Sequence, residues 1–276
     1  MPLALILSSF VAASRIGGAA QQYVLAAHRI DPVLAPTIML GRNPAHGSLG
    51  QVTPPELFAR MLADIEADAI FGMLDLVITG HFSSAEQVEI AAGALTRIRA
   101  ASERTPVVLV VPILGDHPKG LYVKPEVAEA VARQLLPLAD CIPPTLWELG
   151  FRAAAPPADA ASVAAAARKL GKSALVTSAP AGPDEIGAVF VTEGEAALFA
   201  HPRLPEAPNG TGDLLTASFG AGLVEGLTPR AAAERAVRAA SEAVSAAQDR
   251  RAPALPIIAL GERLVRPTAP LRIVEL

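Results

Sequence analysis

Val107-Val108-Leu109-Val110-Val111 is an unbroken apolar run, rich in valine and set between Pro106 and Pro112. β-Branched residues favour extended backbone, and a continuous rather than alternating run is what a strand covered on both faces requires. Similar runs lie at 3–7 and at 74–79, the latter closed by Gly80. The stretches between them have helical character. Residues 17–27 are alanine-rich, and 55–67 place Leu57, Met61, Leu62 and Ile65 on one face behind Thr53-Pro54-Pro55-Glu56, a cap-then-proline start. Ser84 opens a helix to about residue 101, with Gln87 as its capping-box partner. Residues 32–39 form a second extended segment, interrupted by Pro36.

Downstream, a helix from Pro125 to about 138 leads to a short strand, Cys141-Ile142, stopped by Pro143-Pro144. A helix over 158–170 and a strand over 174–177 follow. From Ala188 the pattern changes: Val189-Phe190-Val191 and Ala197-Leu198-Phe199 flank Glu193-Gly194, a hairpin signal. Helices at 214–225 and 230–247 are joined across Gly226-Leu227-Thr228-Pro229. This order predicts an α/β fold: a central, mostly parallel sheet with helices on both faces in three layers, and a hairpin at one edge. No repeat, linker or charge block marks a second domain, so 1–276 reads as a single domain.

The composition narrows the function classes. Of 276 residues, 51% are hydrophobic and only 18% charged, which supplies a sizeable core and argues against disorder. Twenty-three basic and 27 acidic residues leave a net charge of -4, with no basic run to serve as a nucleic-acid surface. A single cysteine, Cys141, removes intramolecular disulfides and cysteine-cluster zinc sites, and the five histidines never fall at i, i+4 ligand spacing. The apolar start lacks a charged leading segment, and no stretch of about 20 residues is apolar enough to span a membrane. These features predict a cytoplasmic enzyme.

Two motifs are decoys. Gly171-Lys172-Ser173 looks like the end of a P-loop, yet the glycine needed five positions earlier is Ala166, and the segment joins a helix to a strand rather than the reverse. Gly220-Ala221-Gly222-Leu223-Val224-Glu225-Gly226 has one residue too many for a dinucleotide fingerprint and lies inside a helix. Its glycines fit close helix packing instead.

Asn209-Gly210-Thr211-Gly212-Asp213 carries the chemistry. Small residues directly before a helix let successive amide groups converge on one point, where the helix dipole adds positive potential. That is an anion hole for a phosphoryl group in transit, and an aspartate in the same turn can accept a proton from an attacking hydroxyl. Gly-Thr-Gly-Asp in the last third of such a chain resembles the signature of the ribokinase superfamily. Gly80-His81-Phe82-Ser83-Ser84-Ala85-Glu86-Gln87, Gly115-Asp116 with Lys119-Gly120-Leu121-Tyr122-Val123, Leu136-Pro137-Leu138-Ala139-Asp140 and the early Ser8-Ser9-Phe10-Val11 are similar to bacterial pyridoxal kinases, in order from about residue 3 to 248.

The resemblance implies a ribokinase-like kinase that uses ATP and Mg²⁺ to phosphorylate the 5′-hydroxymethyl group of pyridoxal. Asp213 would be the general base, and Gly210, Thr211 and Gly212 the anion hole. Ser9 would contact the pyridine ring, with Thr37, His46 and Tyr122 lining the same cleft. Thr177 and Ser178 would meet ATP phosphates, and Asp116 and Glu148 would hold Mg²⁺ directly or through water. A homodimer is implied as well. Two departures stand out. Val111 occupies the position where the family has the first aspartate of Asp-Pro-x-x-Gly-Asp, and Thr145 replaces the asparagine of Asn-x-x-Glu. The substrate loop also differs, reading Gly41-Arg42-Asn43-Pro44-Ala45-His46. The residues therefore leave open a hydroxymethylpyrimidine or sugar kinase, and a catalytically weak pyridoxal-binding protein.

Overall fold

The computed structural model describes residues 1–276 apart from 48–49, 152–156 and 206. Its strands are β1 (Leu3–Val11), β2 (Asp31–Leu40), β3 (Gln51–Val52), β4 (Leu76–Thr79), β5 (Val107–Val110), β6 (Gly115–Asp116), β7 (Gly120–Leu121), β8 (Cys141–Ile142), β9 (Ser173–Gly182), β10 (Glu185–Val191), β11 (Ala196–Pro202) and β12 (Arg272–Glu275). The helices that matter below are α1 (Gly18–Ala27), α2 (Pro55–Ala67), α3 (Ala85–Ala101), α4 (Pro125–Ala130), α5 (Leu146–Gly150), α6 (Ala160–Arg168), α7 (Thr211–Val224) and α8 (Pro229–Asp249).

Ten strands form one sheet in the order β12-β11-β10-β9-β8-β5-β4-β1-β2-β3, and β6 and β7 make a separate small ribbon. The block from β2 to β9 is parallel throughout. Its continuous apolar runs are explained by burial on both faces. Ala4, Ile6, Leu76, Ile78 and Leu109 pack under α1, α7 and α8, while Leu5, Leu7, Val77, Val108 and Val110 pack under α2, α3 and α4. Helix α6 covers Ala174, Val176 and Val189 on that second face. Three layers result.

The glycines of α7 serve packing. A Cβ on Gly220 would lie 2.9 Å from Leu76 Cδ2 of β4, and one on Gly222 would lie 2.7 Å from Ala232 Cβ of α8. These contacts let α7 lie directly on the middle of the sheet. Its first turn therefore emerges at the strand ends.

Three local expectations change. The β10–β11 hairpin turns over Thr192–Glu195, but β12 pairs beyond it, so the hairpin lies one strand inside the edge. The short, charge-flanked Arg272–Glu275 gave no sequence signal strong enough to place it. Thr53 does not cap α2; Pro54 holds that position, and the Thr53 hydroxyl donates to the Pro36 carbonyl at 2.7 Å. Ser84 does cap α3, accepting from Gln87 N at 3.2 Å, but the Gln87 side chain accepts from Ser83 N rather than Ser84 N. Its buried amide donates to the Thr37 and Thr53 carbonyls, at 2.9 and 2.8 Å, tying α3 to β2.

Candidate active site

The parallel strands all end on one edge of the sheet. That edge carries Ser9 on β1, His81 after β4, Asp116 after β5, Thr145 after β8 and Thr177 on β9. From β1 the chain crosses to β2 on one side, and the later strands β4, β5, β8 and β9 build outward on the other. Strand order thus reverses at β1, the kind of crevice where open α/β sheets hold ligands.

Helix α7 begins beside that crevice. Gly210, its N-cap, has φ 97°, and a Cβ there would overlap the Arg15 carbonyl oxygen of the β1–α1 loop. Only glycine fits, for both reasons. The first helical bond runs from Leu214 N to Gly210 O at 3.0 Å, so the amides of Thr211, Gly212 and Asp213 precede the hydrogen-bonded ladder. No side chain among the described residues caps this end, and the space a Gly212 Cβ would enter is open. The Thr211 hydroxyl donates to the Pro208 carbonyl at 2.9 Å, fixing the turn without filling it. Amides converging on an empty position at a 14-residue helix start are suited to an anion.

Asp213 lies in the same turn. Its Oδ2 accepts from Gly17 N at 2.7 Å, locking the carboxylate against the β1–α1 loop. Burial pushes its pKa up to about 6, with the Gly17 bond opposing part of that shift. A carboxylate tuned so close to neutrality is still ionised at pH 7 yet basic enough to take a proton.

A second cluster follows β5 and β8. Thr145 and Glu148 form a capping box at the start of α5: Thr145 Oγ1 accepts from Glu148 N at 3.1 Å, and Glu148 Oε2 accepts from Thr145 N at 2.8 Å and from the Thr145 hydroxyl at 3.0 Å. The other oxygen, Oε1, accepts from Leu114 N at 3.0 Å, which joins this box to the β5–β6 loop. Burial raises the Glu148 pKa to about 7 despite these bonds. Asp116 Oδ1 is buried with no partner among the described residues. Tyr122, half exposed, sits beside it, its phenol pKa raised by burial and then by the Asp116 carboxylate. An orphaned hard oxygen beside a second carboxylate fits an Mg²⁺ that keeps water and phosphate oxygens as its other ligands. No group of three acidic, histidine or cysteine side chains suited to a metal occurs among the described residues.

The remaining expected residues are placed less uniformly. Ser9 is buried, its hydroxyl packed against Gly17 beside the Asp213 bond. Thr37 is buried on β2 with its hydroxyl committed to the His81 carbonyl at 2.6 Å. His46 stands exposed on a 3₁₀ turn with no side-chain partner among the described residues, whereas Asn43 of that loop reaches Asn209. Thr177 and Ser178 do not end their strand. β9 runs on to Gly182, and the register against β10 shifts at this point, with Ser178 at φ 59°. Such a bulge re-aims side chains at a sheet edge. Thr177 also bridges Thr145, which links the bulge to the Glu148 cluster.

Sequence reasoning passed over several neighbours. Gly17 supplies the amide that holds Asp213, and the Gly17-Gly18 pair after a strand was the available signal. Ser8 Oγ and Thr79 Oγ1 are fully buried at the same strand ends, without partners among the described residues. His81 is held neutral by burial, its pKa lowered to about 4. A groove of about 450 Å³, lined by Pro205, Pro208, Ala247, Gln248 and Arg251, adjoins the cradle.

The family model described as phosphomethylpyrimidine kinase matches residues 20–257. A pyridoxine/pyridoxal/pyridoxamine kinase of Bordetella avium is 34% identical over 241 residues, covering 84% of this chain and 80% of that protein. A pyridoxal kinase of Leifsonia xyli is 27% identical over 223 residues, 78% of each chain. Among solved structures, a Leishmania donovani pyridoxal kinase in complex with ADP and pyridoxamine superposes with a TM-score of 0.92 at 22% identity, over the full length of both chains. An Entamoeba histolytica pyridoxal kinase gives 0.89 at 21%, again over both full lengths. The solved structures establish the shared fold.

Proposed function

Because the chain belongs to the phosphomethylpyrimidine kinase family, among the pyridoxal kinases of the ribokinase superfamily, we propose that it phosphorylates the 5′-hydroxymethyl group of pyridoxal with ATP. The observation that carries this reading is Asp213, fixed by Gly17 N beside the open amide cradle of α7. Asp213 takes the hydroxymethyl proton as the alkoxide oxygen attacks the γ-phosphorus. The bond to the bridging oxygen breaks and ADP leaves. The amides of Thr211, Gly212 and Asp213 receive the charge that develops on the transferring group.

The vitamer would lie at the ends of β1, β2 and β4, with Ser9 and the neighbouring orphan hydroxyl of Ser8 offering polar contacts to its ring. Thr37, whose hydroxyl donates to the His81 carbonyl, would line the pocket with its oxygen left to accept from the substrate. His46 and Tyr122 would close the rim. Thr177 and Ser178, on the β9 bulge, would meet the nucleotide phosphates, and the groove at Pro208 would take the base. Asp116 and Glu148 would hold Mg²⁺, which supplies charge neutralisation on the phosphates. With both Glu148 oxygens already accepting from Leu114 and Thr145, Asp116 is the better direct ligand and Glu148 the outer one.

Residues 1–276 are read as one kinase domain working in the cytoplasm as a homodimer; sedimentation of the purified protein tests the assembly. No helix among the described residues is long and apolar enough to cross a membrane. Pyridoxal, ATP and Mg²⁺ given to the purified protein should yield pyridoxal 5′-phosphate and ADP in equal amounts. The family description favours one second reading, a hydroxymethylpyrimidine kinase, which a panel of vitamers and hydroxymethylpyrimidine decides. Turnover on the order of 1 s⁻¹ removes the binding-protein alternative raised by Val111 and Thr145.

A further inference from the structure

Three loops surround Asp213, and they are held together unequally. The β1–α1 loop is tied to the end of β2 by two backbone bonds, Ala12 N to Leu40 O at 2.9 Å and Ala13 N to Gly41 O at 3.0 Å. It is tied to the start of α7 by the Gly17–Asp213 bond and by the packing of Gly210 on the Arg15 carbonyl. On the third side, between the segment after β2 and the turn before α7, one side-chain pair joins them among the described residues. Asn209 Nδ2 donates to Asn43 Oδ1 at 3.2 Å, across 166 residues of chain.

Asn43 is built to receive that bond. It is the N-cap of the 3₁₀ turn Pro44–His46, and the same Oδ1 accepts from Ala45 N at 2.9 Å. The capping bond fixes the amide orientation, leaving the oxygen facing Asn209. Asn209 in turn directly precedes Gly210, so the pair connects the loop beside the substrate pocket to the first residue of the phosphoryl cradle. One side is held by two main-chain bonds, and another by the part-buried Gly17–Asp213 bond together with the close packing of Gly210. The third is a single solvent-exposed amide pair, which opens at far lower cost.

We propose that Asn43 and Asn209 are positioning residues that latch the loop after β2 onto the phosphoryl cradle, closing the ring around Asp213 while a hydroxymethyl substrate is bound. This rests on the kinase reading above. When the latch is closed, the loop orders the acceptor against Asp213 and keeps water from the cradle; when open, it lets product leave. Neither residue touches the reacting atoms.

The donor–acceptor direction gives the test. Asn43→Asp keeps the acceptor for both Ala45 N and Asn209 Nδ2. Asn209→Asp sets two acceptors face to face and breaks the latch. Steady-state kinetics with pyridoxal should show Asn209→Ala raising KM roughly five- to tenfold with kcat within about twofold, as expected for loss of one exposed hydrogen bond. Asn209→Asp should raise KM at least as much and also lower kcat, because its carboxylate stands beside the phosphoryl cradle. Asn43→Asp should stay within about twofold of wild type. ADP formed per pyridoxal 5′-phosphate should rise in the Asn209 variants as water enters the open ring. The Asn43→Ala/Asn209→Ala double variant should be no worse than Asn43→Ala, which also loses the cap. Hydrogen exchange at residues 40–47 reads the latch without turnover, and should quicken in Asn209→Asp but not in Asn43→Asp. Additive single effects, an unmoved KM in Asn209→Asp, or unchanged exchange there would each overturn the latch. A wild type that phosphorylates no vitamer overturns the kinase reading instead, while the exchange result still judges the latch.

Discussion

The cradle at α7 and the Glu148 cluster lie on the same edge of the sheet, yet they are built from different materials. The cradle is main chain: amides of one helix start, a glycine at φ 97° and a backbone donor from Gly17. The cluster is side chain: a threonine–glutamate box that lends one carboxylate oxygen to Leu114 N and leaves Asp116 Oδ1 unpaired. Main-chain sites tolerate almost no substitution where the backbone must bend or approach closely. Side-chain sites can exchange members, and Thr145 shows how. A threonine stands where an asparagine is expected, yet it still holds Glu148 through three hydrogen bonds. Val111, by contrast, packs partly buried against the core under α7 and offers no polar replacement.

The contrast can be broken most sharply at Asp213. Asp213→Asn should lower kcat by roughly 10³-fold while leaving pyridoxal affinity, measured by calorimetry, within a few-fold of wild type. A loss of less than tenfold would move the base elsewhere. In the same region, kcat/KM should fall about tenfold per unit as pH drops below about 6, where Asp213 takes up a proton, and a pH–rate profile reads that limb directly.

Between the two regions stands His81, whose effect should appear in stability. Burial holds its pKa at about 4, so the unfolded chain binds a proton more readily from about 6.5 downward. A lowered histidine therefore costs stability as pH falls from about 6.5 to 4, by up to ~3 kcal/mol at the acid end. Asp213 and Glu148 are shifted the opposite way, so they lose stability as pH rises and mask the slope in the wild type. The difference between wild type and His81→Gln in denaturant titrations isolates it; a pH-independent difference would show that the imidazole is solvated.

Gly210→Ala should remove roughly 2–3 kcal/mol of stability, from its positive φ and from overlap with the Arg15 carbonyl, with kcat falling alongside. Thermal melts check it. The smallest effect on stability belongs to the side-chain cluster: Asp116→Asn should raise the Mg²⁺ concentration for half-maximal rate about tenfold with little change in melting temperature, because Asp116 Oδ1 has no hydrogen bond to lose among the described residues. If Gly210→Ala instead altered only the Mg²⁺ requirement, the two regions would not be separate devices.

Much of this is legible in the amino-acid sequence. Strands β1, β4 and β5 announced themselves because burial on both faces demands continuous apolar runs, and Ser84 announced α3 because a helix start needs an acceptor for its free amides. The amide cradle was legible for the same reason, since its chemistry is carried by consecutive residues. Thr53 misled because its hydroxyl found the Pro36 carbonyl, a partner 17 residues away, in place of a local amide. The end of β9 misled because antiparallel pairing with β10 carries the strand across the bulge at Thr177–Ser178 and on to Gly182.

What the sequence alone determined is the layered α/β architecture and the turn at Gly210–Asp213, because periodicity, glycine geometry and helix dipoles act over a few neighbouring residues. What only the tertiary structure decided is which distant groups those elements meet: Gly17 with Asp213, Leu114 with Glu148, Asn209 with Asn43. These contacts follow from sheet order and from helix packing as close as Gly220 on Leu76, and no local pattern encodes them.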